Sequence, residues 1–123
     1  MIAADTSAWL DFFRGAQTAH ALRLKKCLID GTLTLPVPVL FELLSGPTLT
    51  LEAAALLLQL PKLDATPGFW ERAGELRRAL LSKRLKARSI DCLIAQNCLD
   101  HDVALIAADG DFRHFSARGL KLA

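Results

Sequence analysis

The segment Val103–Ala108 reads "VALIAA", six apolar residues in a row, and it runs directly into "DGDF" with Asp109 and Asp111. A run that short and that apolar fits a strand buried on both faces, as in parallel sheets sandwiched between helices. The amino terminus follows the same plan, because Met1–Ala4 is apolar and stops at Asp5. Two carboxylates placed just beyond a buried strand gain nothing from the core. They are either turn residues or parts of an acidic site, and the rest of the chain has to separate the two readings.

The intervening sequence predicts alternating strands and helices. "TSAWLDFFRG" reads as a helix capped by Thr6 or Ser7 and ended by Gly15. "QTAHALRLKKCLIDG" is a second helix, with Ala21, Leu24 and Leu28 on one stripe and Gly31 as its stop. "TLTLP" is a second strand. "PVLFELLSGP" is a short helix opened by Pro38 and closed by Gly46 and Pro47. "TLTLEAAALLLQL" is helical by composition, and "PKLDATPG" holds a brief extended piece and a turn. A long helix is expected from Phe69 to Lys86, with Phe69, Ala73, Leu76 and Leu80 at helical spacing. Ser89 is expected to cap the next helix, Ile90 to about Leu99. After "VALIAA" come a turn with a short helix and then "LKL" as a last edge strand. This alternation argues for a three-layer α/β/α sandwich with a short, mostly parallel sheet, built as one domain over residues 1–123. In such sheets, sites form beyond the carboxyl ends of the strands. If the first and the "VALIAA" strands are neighbours, Asp5 and Asp109 meet there.

Composition narrows the classes. A hydrophobic content of 52% suits a packed core and excludes disorder. No segment reaches the roughly 18 apolar residues of a membrane span. The start has neither the basic region nor the apolar stretch of a signal peptide, so a cytoplasmic chain is expected. Cys27, Cys92 and Cys98 form no CxxC pair, and buried reduced thiols are the economical reading. His20, His101 and His114 are scattered, which argues against zinc. Net charge is only +2, but seven basic residues lie from Arg72 to Arg88 (Arg72, Arg77, Arg78, Lys83, Arg84, Lys86, Arg88) against one acid, Glu75. Such a run is either a solvated helix face or a surface for a polyphosphate.

Each acid has an ordinary explanation. Asp5 could cap the helix that follows it. Glu42, inside "VLFELLSG", could face solvent. Asp91 sits in a first helical turn, where the macrodipole favours an anion. Asp109 and Asp111 could serve a turn, and their fragment lacks the later ligands of a calcium loop. Together these explanations weaken, because every one of the acids occupies a strand end or a helix start that the fold can bring together. Carboxylates that share a site repel unless a cation intervenes. An oxygen-only set suits Mg²⁺ or Mn²⁺, ions that activate water and stabilise displacement at phosphorus.

"ADTSAWL", "ELLSG" and "DCLIAQNCLDHDVALIAADGDF" resemble the PIN-domain ribonucleases, and the size and "DTSAW" opening look most like the VapC-type toxins of bacterial toxin–antitoxin modules. The resemblance covers nearly the whole chain. It implies that the four family acids fall on Asp5, Glu42, Asp91 and Asp109, with Asp5, Asp91 and Asp109 as metal ligands. Asp111 matches a further acid of the "DxDF" ending and is an alternative last ligand. Ser7 matches a hydroxyl that steadies the first aspartate and its metal. One position departs from the pattern, with Ala107 where many relatives have threonine. The family implies a Mg²⁺- or Mn²⁺-dependent endoribonuclease that cleaves structured RNA and inhibits translation. It also implies a homodimer and a cognate antitoxin that blocks the site. Trp9, Phe12 and Phe13 are candidates for such an interface or ordinary core aromatics. Arg77 and Arg84, seven residues apart on the expected long helix, form a row that Arg88 continues toward Asp91. Arg84 and Arg88 are the residues expected to touch RNA phosphates.

Three other classes compete. A phosphorelay receiver needs an acid pair after the first strand and a lysine after a late one; Asp5 stands alone, and "VALIAADGD" has no lysine. A haloacid-dehalogenase-type phosphatase needs DxDxT, and position 7 is serine. A non-catalytic module that binds RNA or a partner remains as the alternative, separated from a nuclease by metal-dependent cleavage.

Overall fold

In the computed structural model, which describes all of Met1–Ala123, the core is a set of very short parallel strands. They are β1 (Ile2–Ala4), β2 (Leu35–Pro36), β3 (Lys62–Leu63) and β4 (Ala104–Ile106). β1 pairs with β4 in the register Ile2–Ala104, Ala3–Leu105 and Ala4–Ile106, and β2 pairs with β3. Single parallel bridges join Ile2 to Leu33, just ahead of β2, and Leu105 to Leu122. The lateral order is therefore β3, β2, β1, β4 and the Leu122 bridge, all parallel. The expected "LKL" edge strand contracts to that one bridge.

"VALIAA" contributes three strand residues rather than six, for a physical reason at each end. The N–H of Val103 is used to close the preceding helix on the carbonyl of Cys98 (2.9 Å). The N–H groups of Ala108 and Asp109 are taken by the carboxylate of Asp5 (2.9 and 3.1 Å) instead of by a neighbouring strand.

The helices are α1 (Thr6–Phe13), α2 (Ala19–Asp30), α3 (Val37–Leu44), α4 (Leu51–Gln59), α5 (Phe69–Ser82), α6 (Ser89–Asp100) and α7 (Arg113–Ser116). Thr18 and Thr50 cap α2 and α4 through their hydroxyls, and Gly31 ends α2 in the left-handed conformation it adopts without steric cost. α1 packs on α2, and α6 packs on α5 and α3. The core joins Ala3, Ala4, Leu33, Leu35, Leu105 and Ile106 of the strand segments to Trp9, Leu24, Leu80, Ile94 and Phe112. Arg72 of α5 grips Asp100 of α6 in a two-pronged pair, Nε to Oδ1 at 2.9 Å and Nη2 to Oδ2 at 2.7 Å. Burial pushes the Cys92 thiol up to about 11 and the Cys98 thiol to about 12, so both stay protonated. No helix is long and apolar enough to cross a membrane.

The long helix ends earlier than its sequence suggests. α5 stops at Ser82, and Arg84 takes a left-handed backbone (φ 58°). The N–H of Leu85 returns to the carbonyl of Leu80 (3.0 Å) and that of Arg84 to Leu81 (2.9 Å). This pair of bonds is a Schellman closure, usually marked by glycine at the left-handed position. Arg84 gives no such signal. The row of Arg77, Arg84 and Arg88 along one helix therefore does not exist.

Candidate active site

β1 and β4 are neighbours, so their carboxyl ends bring Asp5 and Asp109 side by side. Asp5 is only 2% exposed and caps α1, accepting from the N–H of Ala8 at 2.8 Å through Oδ1. Its Oδ2 accepts from Ala108 and Asp109. Desolvation raises the Asp5 carboxyl above its ordinary value. The three backbone N–H bonds oppose that rise, and the charge of Asp109 adds to it. Asp109 in turn caps the 3₁₀ turn Gly110–Phe112, its Oδ1 accepting from the N–H of Asp111 at 2.9 Å.

Asp91 lies in the first turn of α6, half-buried, after Arg88 as the flanking residue. Its carboxyl is raised to about 6, with burial as the largest cause. Within that rise the charge of Asp109 comes next, Arg88 opposes it, and Glu42 and Asp5 add smaller upward pushes. Asp91 thus responds to all three of the other candidate acids. Glu42, on α3, is held from α1: the Thr6 hydroxyl donates to its Oε1 at 2.5 Å.

All four acids are oxygen donors; Asp109, Glu42 and Asp5 raise the cost of charge on Asp91, and Asp109 raises it on Asp5, which is what a hard divalent cation relieves. Their donor type and charge fit such an ion. They are not drawn into a ready-made shell, because no three acidic, imidazole or thiolate side chains stand close enough to ligate one ion together.

Other expected residues fall differently. Asp111 forms an ion pair with Lys86 at 3.1 Å. Ser7 is exposed and its hydroxyl makes no hydrogen bond within the chain, whereas the adjacent Thr6 holds Glu42. Arg88 is exposed next to Asp91, and Arg84 is exposed on the turn after α5. Arg77 is used locally, its Nε donating to the carbonyl of Ala87 at 2.9 Å. Trp9 is fully buried and packs on Phe12 and Phe13, so it is a core aromatic and not an interface residue. The exposed aromatics are instead Phe41 and Trp70, at 64% and 66%. They line an apolar cleft of about 560 Å³ that runs along Val37, Phe69, Ile90 and Leu93 and includes none of the four acids.

Sequence reasoning offers Thr6 only as a cap of α1, a place that Asp5 takes, and does not pair Lys86 with Asp111. The hydroxyl at Thr6 was visible, but its partner lies 36 residues away and depends on how α1 meets α3.

Comparison with known proteins finds the same fold. The family model described as "PIN domain" matches residues 2–117. The chain is 29% identical over 119 residues to VapC ribonuclease Mb1587 of Mycobacterium bovis and to Ribonuclease VapC11 of Mycobacterium tuberculosis, covering 91% of this chain and 89% of either relative. Among solved structures, it resembles a chain of VapBC2 from Rickettsia felis bound to a promoter DNA fragment. That match has a TM-score of 0.75 and 21% identity, covering 100% of this chain and 98% of the other. A chain of FitAcB from Neisseria gonorrhoeae gives a TM-score of 0.74 at 17% identity, with 99% and 96% covered.

Proposed function

The chain belongs to the PIN domain family, and we propose that it is a Mg²⁺- or Mn²⁺-dependent endoribonuclease of the VapC type, a toxin that inhibits translation and is restrained by a cognate antitoxin. One observation carries the reading: Asp91, raised to about 6, responds to Asp109, Glu42 and Asp5 at the carboxyl ends of β1 and β4. The charge penalty that these acids place on Asp91 is what a bound cation would relieve. Asp5, Asp91 and Asp109 would hold the ion, and Glu42 completes the acidic set. The ion, when bound, would supply an activated water and a counter-charge for the scissile phosphate.

The remaining roles belong to the chain itself. Asp5 fixes the turn that bears Asp109 through two backbone bonds. Thr6 orients Glu42. Arg88 lowers the cost of charge on Asp91 and, with Arg84, offers exposed cations to RNA phosphates. The apolar cleft with exposed Phe41 and Trp70 supports protein partners, an antitoxin and a second copy of the chain. The ribonuclease names of the two mycobacterial relatives and the VapBC and FitAcB complexes support the same assignment.

The test is cleavage of total RNA by purified protein with Mn²⁺, Mg²⁺ or chelator, and sequencing of the new RNA ends after induced expression. Cleavage should require metal and vanish in Asp91→Asn. Parental cleavage by Asp91→Asn, or cleavage that persists in chelator, overturns the assignment.

A further inference from the structure

Asp109 and Asp111 stand two residues apart on one 3₁₀ turn, and the structure treats them differently. Asp109 is tied to the acid cluster, its backbone N–H donating to Oδ2 of Asp5 at 3.1 Å at the paired ends of β1 and β4. The Asp111 carboxylate is instead engaged by the ammonium of Lys86 at 3.1 Å. Lys86 belongs to the turn between α5 and α6, which is anchored on both sides. Ahead of it, Leu85 closes α5 on the carbonyl of Leu80. Behind it, Ala87 is buried and its carbonyl is held by Arg77. Lys86 therefore reaches the acid turn from a fixed base. The bond from the N–H of Asp111 to Oδ1 of Asp109 fixes the second half of the arrangement.

We propose that Lys86 is a positioning residue of the acid site, which holds Asp111 away from the acid cluster and leaves Asp109 as the acid that joins Asp91 and Asp5 toward a divalent cation. The inference deepens the ribonuclease assignment and rests on it. An ordinary exposed ion pair would contribute little and would not change the site. A pair that decides which of two adjacent carboxylates faces the ion changes the affinity for that ion. Releasing Asp111 adds a free negative charge beside the cluster and strengthens attraction of a dication.

The measurement is Mn²⁺ affinity, by titration calorimetry, of the parent, Lys86→Met, Lys86→Arg, Asp111→Asn and the double variant Lys86→Met with Asp111→Asn. Lys86 and Asp111 side chains are 54% and 27% exposed, so these variants should fold, and thermal melting in chelator checks it. Lys86→Met should bind Mn²⁺ about tenfold more tightly than the parent. In the Asp111→Asn background the same change should have an effect of about twofold or less, because no carboxylate remains to be released. Lys86→Arg should restore parental affinity. An unchanged affinity in Lys86→Met overturns the proposal. So does an equal gain in the Asp111→Asn background, which would mean bulk charge and no positioning. Asp91→Asn separates the two layers: Mn²⁺ binding as tight as the parent's there removes the acid-site assignment, and Lys86's role with it.

Discussion

The backbone N–H of Asp109 donates to Oδ2 of Asp5 at 3.1 Å, across 104 residues of sequence. Asp5 thereby ties the start of α1 to the end of β4 while contributing its charge to the cluster. Considered as a metal ligand alone, it could be removed without cost to the fold. Considered as the acceptor of three backbone N–H groups, it could not.

Asp5→Ala should accordingly destabilise the metal-free protein by about 3 kcal/mol, since the N–H groups of Ala8, Ala108 and Asp109 lose their acceptor. Asp109→Ala, which loses a single cap bond to Asp111, should cost about 1 kcal/mol. Urea unfolding in chelator measures both. Equal midpoints for Asp5→Ala and the parent would mean that the clamp contributes nothing. Loss of cleavage in Asp5→Ala is informative only beside that measurement.

The metal-free protein should become less stable as pH rises through the range where Asp91 ionises. Its folded-state value of about 6 lies above the ordinary 3.8. Between these values the native state holds a proton that the unfolded chain releases, so stability falls with rising pH. At neutral pH the charge costs about 1–2 kcal/mol, after discounting the half-exposed position for solvent screening. Asp91→Asn should flatten that part of the profile and melt above the parent at pH 7. Melting curves in chelator at a series of pH values decide this, and identical profiles for the two proteins refute it.

Thr6→Val should slow RNA cleavage while leaving the melting temperature close to parental. It removes the one hydroxyl that donates to Glu42 and keeps the shape of the side chain. Loss of an orienting partner of this kind costs about tenfold or more. The deficit should lie in kcat with KM little changed, and Thr6→Ser should recover it. Ser7→Ala should cleave at the parental rate, because its hydroxyl is exposed and bonds nothing in the chain. A reversed ranking of Thr6 and Ser7 would favour Ser7 as the hydroxyl that steadies Asp5 and its metal.

The parts of this arrangement that could be read from sequence are those written in local chemistry. Apolar runs ending in Asp5 and Asp109, and Gly31 at a helix stop, all carry their reasons within a few residues. The end of α5 could not be read that way. Arg84 occupies a left-handed position that glycine normally marks, and the closure is driven by Leu85 returning to Leu80. The choice between Thr6 and Ser7, or between Asp109 and Asp111, depends on partners 36 residues away in Glu42 or on a different turn in Lys86. Adjacent residues of the same chemistry are separated only by tertiary packing.

The early end of α5 changes how Arg84 and Arg88 should be tested as phosphate-binding residues. Arg77 is a poor control, because it holds the carbonyl of Ala87 and its loss would disturb the turn. Arg84 is exposed at φ 58°, where glycine is the favoured residue. Arg84→Gly thus removes the charge while relieving backbone strain, and the protein should be more stable by about 1 kcal/mol. Arg88→Ala removes the cation beside Asp91, so both changes are best made in an Asp91→Asn background, where neither cleavage nor the Asp91 charge interferes. RNA affinity is then followed against salt concentration. Removing an arginine that neutralises one phosphate should reduce the logarithmic slope by about 0.7–0.9. If Arg84→Gly and Arg88→Ala both keep the parental slope, these arginines are solvated surface and the RNA crosses another face. A reduced slope in Arg88→Ala alone would place the strand along the start of α6, directly beside the acids.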